Sequence, residues 1–189
     1  NFFTDISNFI SYETGQPTHC YDYQLLGNSL TLGYTENKQT FETITNKKIK
    51  IDKNELVFFK NKDEIVNLAG VMGGKSTECN QNTKAVLVEC AFFNPEKIIG
   101  KSVKYDLVSD AAHKFERTVD PSCHENVLRR FIEIVNQHST ISKVKLFKNI
   151  EYVHEPISLE FDTNIVSKIL GINLNDKDYS IILNKLGFL

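Results

Sequence analysis

The ten residues KAVLVECAFF, Lys84 to Phe93, constrain the fold more than any other stretch of this chain. Apolar side chains fill nearly every position, so neither the alternation of a half-buried strand nor the 3.6-residue period of an amphipathic helix is present. Such a run predicts a strand covered on both faces. Glu89 stands inside it, and a carboxylate is almost never fully buried without a partner. Either it pairs with a lysine or arginine, the ordinary outcome, or it faces a cavity and awaits a ligand's hydrogen-bond donor.

The surrounding text places that strand in an α+β fold. EIVNLAGVMGG, residues 64–74, is a second apolar segment that runs into a glycine-rich turn. Any active region is expected where these two segments meet. Between Leu30 and about Lys60, the pieces SLTLGYT, QTFETIT, KKIKID and ELVFFK read as strands of an antiparallel sheet, separated by Asn-Lys turns. Ahead of them, TDISNFISYET sets Ile6, Phe9 and Ile10 at helical spacing, with Thr4 or Asp5 as cap and Gly15 as the stop. VDPSCHENVLRRFIEIVNQH predicts another helix, with Asp120 as N-cap, Pro121 in the first turn, and Val127, Phe131 and Ile134 on one face.

Beyond a linker at 151–156 the pattern changes to ISLEF, read as a strand, then DTNIVSKILG and DKDYSIILNKLGF, capped helices ending at Gly171 and Gly187. One strand and two short helices are too little to stand alone, since units below ~40 residues usually need help. The expected organisation is a first domain at 1–150 and a fragment of a second at 151–189. The fold class is therefore α+β, a mixed, mainly antiparallel sheet with packed helices, followed by a truncated small helical domain.

Charge and cysteine usage narrow the function. The formal net charge is −2, whereas a self-sufficient nucleic-acid binder carries a basic excess. A polyanionic partner would be held mainly by something else. The four cysteines, Cys20, Cys79, Cys90 and Cys123, form no CxxC pair, which argues against structural zinc and a disulfide framework and for reduced thiols. No apolar run reaches ~18 residues and no charged-then-apolar leader is seen, so a cytoplasmic protein without membrane contact is expected.

Three segments carry candidate chemistry. GQPTHCYD, Gly15 to Asp22, sets His19 beside Cys20. Adjacent residues on an extended or turning backbone point in different directions, so a thiol–imidazole pair is disfavoured and a turn presenting His19 is the better reading. AGVMGGKST lacks the spacing of a phosphate-binding loop or a dinucleotide turn. Its Gly70, Gly73 and Gly74 can instead allow close backbone approach to a ligand, or simply make a tight turn. SDAAHKFERTVDP gathers Ser109, Ala111, His113, Lys114, Glu116 and Arg117, which on their own would be a helix start with ordinary exposed pairs.

In order and spacing, GQPTHCYD, AGVMGG, LVECAFFNPEKI and SDAAHKFERTVDP resemble the editing domain of the β subunit of bacterial phenylalanyl-tRNA synthetases. The opening NFFTDISNF is similar to that family's helix before the GQP turn, where Thr-Asn stands in place of Ser7-Asn8. The tail resembles the start of the next domain, a helical module with a DNA-binding-like fold. The resemblance implies hydrolysis of tyrosyl-tRNA mistakenly made on the phenylalanine tRNA, at a site separate from the synthetic one. A site built for phenylalanine rejects an added hydroxyl only ~100-fold, whereas a second site can read that hydroxyl positively with a buried acceptor.

By the same resemblance Glu89 senses tyrosine, His19 lies near the ester, and Ser7 and Asn8 stand near the aminoacyl-adenosine end. Ser109 and Ala111 shape the pocket, and Gly70 with Gly73 admits the substrate to the backbone. Activated esters need only an oriented water and an oxyanion donor, so no metal or cofactor is implied for editing. ATP and magnesium belong to the full heterotetrameric ligase. The implied partners are the synthetase α subunit, the acceptor end of the phenylalanine tRNA and the tyrosine moiety it carries. Two departures stand out. Lys114 replaces an arginine, and Thr118 replaces a glycine, which argues against a positive-φ turn there. The competing reading is a non-catalytic module that shapes the subunit and guides tRNA.

Overall fold

A computed structural model describes residues 1–27, 29–149 and 157–188. The chain divides into two compact units, Asn1–Tyr152 and Val153–Leu189. The expected domain boundary at 150 and 151 and the linker at 151–156 lie outside the described residues.

The first unit opens with α1 (Phe2–Thr14). Its cap is Asn1 rather than Thr4 or Asp5: the Asn1 side chain accepts the Thr4 N–H at 3.1 Å and donates to the Cys79 carbonyl at 2.7 Å. Gly15 ends the helix in the left-handed conformation, φ 79°, with its N–H on the Ser11 carbonyl. Ile6 and Ile10 are buried as the spacing implies, while Phe9 is exposed.

The described strands are β1 (Thr18–Asp22), β2 (Thr31–Tyr34), β3 (Gln39–Glu42), β4 (Lys48–Ile51), β5 (Leu56–Lys60), β6 (Glu64–Leu68), β7 (Met72–Gly73) and β8 (Val86–Cys90). They form a four-stranded sheet in the order β2-β5-β6-β7, a β3–β4 hairpin, and a two-stranded ribbon of β1 with β8. Every one of these pairings is antiparallel. The ribbon separates two apolar clusters. Cys20, Val86 and Val88 meet Ile6, Ile10, Val127, Phe131 and Ile134, whereas Tyr21, Leu87 and Ala91 meet the larger core around Val66, Leu68, Phe93 and Phe115. Thus β8 has apolar neighbours on both faces. The expectation of full cover is corrected, however, because β1 alone pairs with it and all five residues stay partly exposed.

Four further α-helices are described in this unit: α2 (Tyr23–Leu26), α3 (Lys101–Tyr105), α4 (Asp110–Phe115) and α5 (His124–His138). Helix α5 starts later than the sequence suggests, with Cys123 at its N-cap. Asp120 is drawn into its own turn, accepting the Ser122 N–H at 2.8 Å and hydroxyl at 2.6 Å. On α3, Lys101, Lys104 and Tyr105 converge on Glu55, which is 2 % exposed; the Lys104 ammonium is 2.5 Å and the Tyr105 hydroxyl 2.9 Å from its carboxylate.

In the second unit α6 (Thr163–Leu170) is capped by Asp162 and stopped by Gly171 at φ 69°. Helix α7 (Asp176–Lys185) begins with a reciprocal Asn175–Asp178 capping box and ends two residues before Gly187. Buried Tyr179 joins the two, its hydroxyl 2.8 Å from Ser167 Oγ and donating to the Thr163 carbonyl at 3.3 Å. ISLEF is not a strand, since no described strand pairs with it.

The turn after α4 overturns the expectation at Thr118, which adopts φ 67° although it is β-branched. A side chain in that region costs ~1–3 kcal/mol, and glycine there gives back ~0.5–1 kcal/mol through the unfolded chain. Thr118→Gly is therefore expected to raise the unfolding free energy by about 1 kcal/mol in urea titrations. An unchanged or lower midpoint would show that the turn carries no strain.

Candidate functional site

The site begins with strand register. Antiparallel pairing sets His19 directly opposite Glu89 and Tyr21 opposite Leu87. Residues two apart on a strand share a face, so His19, Tyr21, Leu87, Glu89 and Ala91 look the same way while Cys20 looks the other. The Tyr21 hydroxyl donates to Glu89 Oε2 at 2.6 Å and accepts from the Asn67 side-chain amide at 2.8 Å. Asn67 also reaches Glu89 Oε2 at 3.4 Å. Among the described residues, Glu89 Oε1 makes no hydrogen bond and no cation pairs with this carboxylate.

These surroundings set both ionisations. Burial raises the Glu89 carboxyl to about 7 against its ordinary 4.5, and the Tyr21 hydrogen bond only partly opposes the rise. Burial also lowers His19 to about 4. Near neutrality the imidazole is uncharged, with one donor and one acceptor nitrogen. Its ring lies edge-on to Tyr21 with centroids 4.4 Å apart, and neither nitrogen is hydrogen-bonded among the described residues.

The glycine-rich turn closes on the same cluster. A Cβ at Gly73 would lie 2.2 Å from His19 Cε1, so only a glycine leaves room for the ring. Gly70 has a different neighbourhood: φ is 69°, and an added Cβ would sit 2.9 Å from Ile98 Cδ1 and 3.0 Å from Phe93 Cδ2. Ser7 is buried on α1 and ties it to the residue before His19, donating to the Thr18 carbonyl at 2.6 Å with Thr18 Oγ1 2.9 Å away. Its neighbour Asn8 is exposed. Ser109 caps α4 by accepting the Ala112 N–H at 3.1 Å and donates to the Val71 carbonyl at 2.5 Å, fixing α4 to the turn. Ala111 is half-buried against the larger core.

Hence His19, Gly73 and Glu89 come together, Ser7 and Ser109 brace the segments beside them, Gly70 packs on Ile98 and Phe93, and Asn8 is exposed. Sequence reasoning missed Asn67. The signal was available, because Asn67 is a polar residue inside the apolar EIVNL and is 4 % exposed, the same anomaly that singles out Glu89. Asp22 caps α2 and accepts from Thr83 at 2.6 Å. Cys20 is buried on the opposite face, its thiol pushed far up by burial and by Cys79 and Glu89. It offers no thiolate near neutral pH.

A cavity of about 410 Å³ lies beside the GQP turn, lined by residues including Gln16, His113, Lys114, Arg117, Thr118 and Cys123. Gln16 links it to β8, donating to the Pro17 and Ala91 carbonyls at 2.9 Å each. Lys114 serves structure here, holding the Ser11 carbonyl and, at 2.9 Å, the Ser11 hydroxyl near the end of α1. No group of three or more His, Cys, Asp or Glu among the described residues is arranged to hold a metal, and no described helix is long and apolar enough to cross a membrane.

Comparison with known proteins places the chain in a family. The chain is 28 % identical over 98 % of its length to a phenylalanine–tRNA ligase beta subunit from Francisella tularensis, of which it covers 24 %. It is 30 % identical over 97 % of its length to one from Neisseria meningitidis serogroup B, covering 23 %, and 32 % identical over 67 % to one from Pectobacterium atrosepticum, covering 16 %. The chain thus spans about a quarter or less of these relatives. The family model described as "B3/4 domain" matches residues 1–140, and with His19, Gly73 and Glu89 all inside that match the chain belongs to the B3/4 domain family.

Proposed function

We propose that the first unit edits the product of a phenylalanine–tRNA ligase, hydrolysing the ester of tyrosine wrongly attached to the phenylalanine tRNA. The observation that carries this reading is the Glu89 carboxyl, raised to about 7 by burial, held at Oε2 by Tyr21 and Asn67 with no bond to Oε1 among the described residues, and set opposite a neutral His19. A phenol that donates to Oε1 gains a hydrogen bond to a charged acceptor, worth ~1.5–3 kcal/mol. Phenylalanine leaves the same carboxylate desolvated and unmatched. In the reaction, water adds to the ester carbonyl and the bond to the ribose oxygen breaks, releasing tyrosine and uncharged tRNA.

His19 acts on that water or on the ester by hydrogen bonding. A group lowered to about 4 is too weak a base to hold a full proton near neutrality, so orientation rather than proton abstraction is its contribution. The α subunit of the ligase and the tRNA acceptor end are the partners this reading requires, in the cytoplasm. With a net charge of −2, the chain depends on the rest of the assembly to hold the tRNA. ATP and magnesium would serve the synthetic site only.

Titration calorimetry of tyrosine against the chain and its Glu89→Ala variant, with phenylalanine as control, is the direct check. Tyrosine binding lost in the variant, with phenylalanine weak throughout, is expected; equal binding of both would leave a non-catalytic module as the better reading. His19→Ala is expected to slow deacylation of tyrosyl-tRNA at least ~100-fold, and an unchanged rate would remove His19 from the reaction.

The ionisation of Glu89 adds a pH signature. The carboxylate form is the better acceptor, so the preference for tyrosine over phenylalanine is expected to rise between pH 6 and 8, following the group titrating at about 7. Stability moves the opposite way. A carboxyl raised from 4.5 to about 7 stabilises the fold fully below 4.5 and loses that contribution as pH rises through 7. Glu89→Gln should remove this loss, worth up to about 3 kcal/mol, when unfolding is compared at pH 5 and pH 8.

A further inference from the structure

We propose that Tyr21, backed by Asn67, is the positioning residue that makes Glu89 selective: its hydroxyl occupies Oε2 and leaves Oε1 as the oxygen offered to a ligand. This role rests on the tyrosine-editing reading above. Tyr21 is fully buried and fixed by ring contacts on two sides, to His19 at 4.4 Å and to Phe58 at 6.4 Å between centroids. Its hydroxyl therefore has little freedom to leave the carboxylate. Asn67, itself buried on β6, donates to the hydroxyl oxygen, which directs the phenolic proton to Glu89. The chain thus presents to its own glutamate the same phenol-to-carboxylate contact that a bound tyrosine would make.

Two acceptor oxygens with different duties follow. Oε2 receives two donors from the protein, 2.6 Å and 3.4 Å away, which hold the carboxylate plane and help keep it ionised. Oε1 receives none among the described residues and is the oxygen left for a ligand's donor. Without the Tyr21 hydroxyl both oxygens would lack a strong donor, the carboxyl would favour its protonated form, and it would rotate freely between accepting and donating. A site that can donate as well as accept no longer distinguishes a phenol sharply. The titratable neighbours of Glu89 are His19 across the ribbon, Tyr21, and the Cys20 and Cys90 thiols. None of them is charged near neutral pH, so the Tyr21 hydroxyl is the main influence opposing desolvation.

The test uses the full chain and its Tyr21→Phe variant, which removes one oxygen and keeps the ring. Two quantities are read: the ratio of tyrosine to phenylalanine dissociation constants, and the midpoint of the Glu89 carboxyl resonance in a carbon-13 NMR titration. Tyr21→Phe is expected to reduce the preference for tyrosine about tenfold by weakening tyrosine alone, and to move the Glu89 midpoint upward. Asn67→Ala, which removes the donor behind the hydroxyl, should shift both in the same direction by less. A folded Tyr21→Phe chain that keeps both the wild-type ratio and the wild-type midpoint overturns the proposal. A wild-type chain with no preference for tyrosine overturns the editing reading itself, and the specificity role with it, whatever the midpoint does.

Discussion

The register of β1 against β8 is the constraint on which the rest of the first unit depends. Two segments about seventy residues apart meet as Thr18 with Cys90, His19 with Glu89, and Tyr21 with Leu87. Because side chains alternate along a strand, a slip of one residue would carry Glu89 or His19 to the opposite face and replace it with a cysteine. The apolar clusters on the two faces resist such a slip. Tyr21 belongs to one core and Cys20 to the other, so the wrong register would bury a phenol against α1 and expose a thiol to the glycine turn. Packing on both sides of the ribbon thereby specifies a site that packing alone would not explain.

Glu55 and Glu89 show how neighbours, rather than burial alone, decide what a carboxylate does. Burial pushes both upward. At Glu55 the hydrogen bonds from Lys101, Lys104 and Tyr105 outweigh that push, and the group ends below its ordinary value. Glu89 has only the uncharged donors Tyr21 and Asn67 and ends above it. The first is a satisfied ion cluster that fixes α3 to the sheet. The second has unspent acceptor capacity in a low-dielectric setting, which is how a recognition group is built.

Much of this was legible in the chain. Glu89 is visible as a charge in an apolar run, His19 as the residue delivered by a Gly-Pro turn, and Gly15 and Gly171 as helix stops. The four-segment pattern carried the family. What escaped depends on tertiary partners. Nothing in GQPTHCYD says that the Tyr21 hydroxyl will meet a glutamate sixty-eight residues later, or that an asparagine in a third strand will support it. Local competition explains the other misses. Asp120 looks like a helix cap but satisfies Ser122 first, ISLEF has strand composition but no described strand to pair with, and Thr118 is held in a glycine-like turn by what surrounds it.

The cysteines lend themselves to a different use. All four are free thiols whose ionisation is raised by burial, with Cys79 at about 11, Cys90 at about 12, Cys123 raised and Cys20 well above the ordinary range. Alkylating reagents attack the thiolate, so buried Cys20 and Cys79 are shielded from maleimides in the native fold, while half-buried Cys90 and Cys123 are less so. A single cysteine introduced at an exposed position such as Tyr12 can carry a fluorophore once Cys90 and Cys123 have been replaced. Buried Cys20 and Cys79 then make a chemical clock for one part of the molecule: both belong to the smaller core beside α1, so their labelling reports when that core opens.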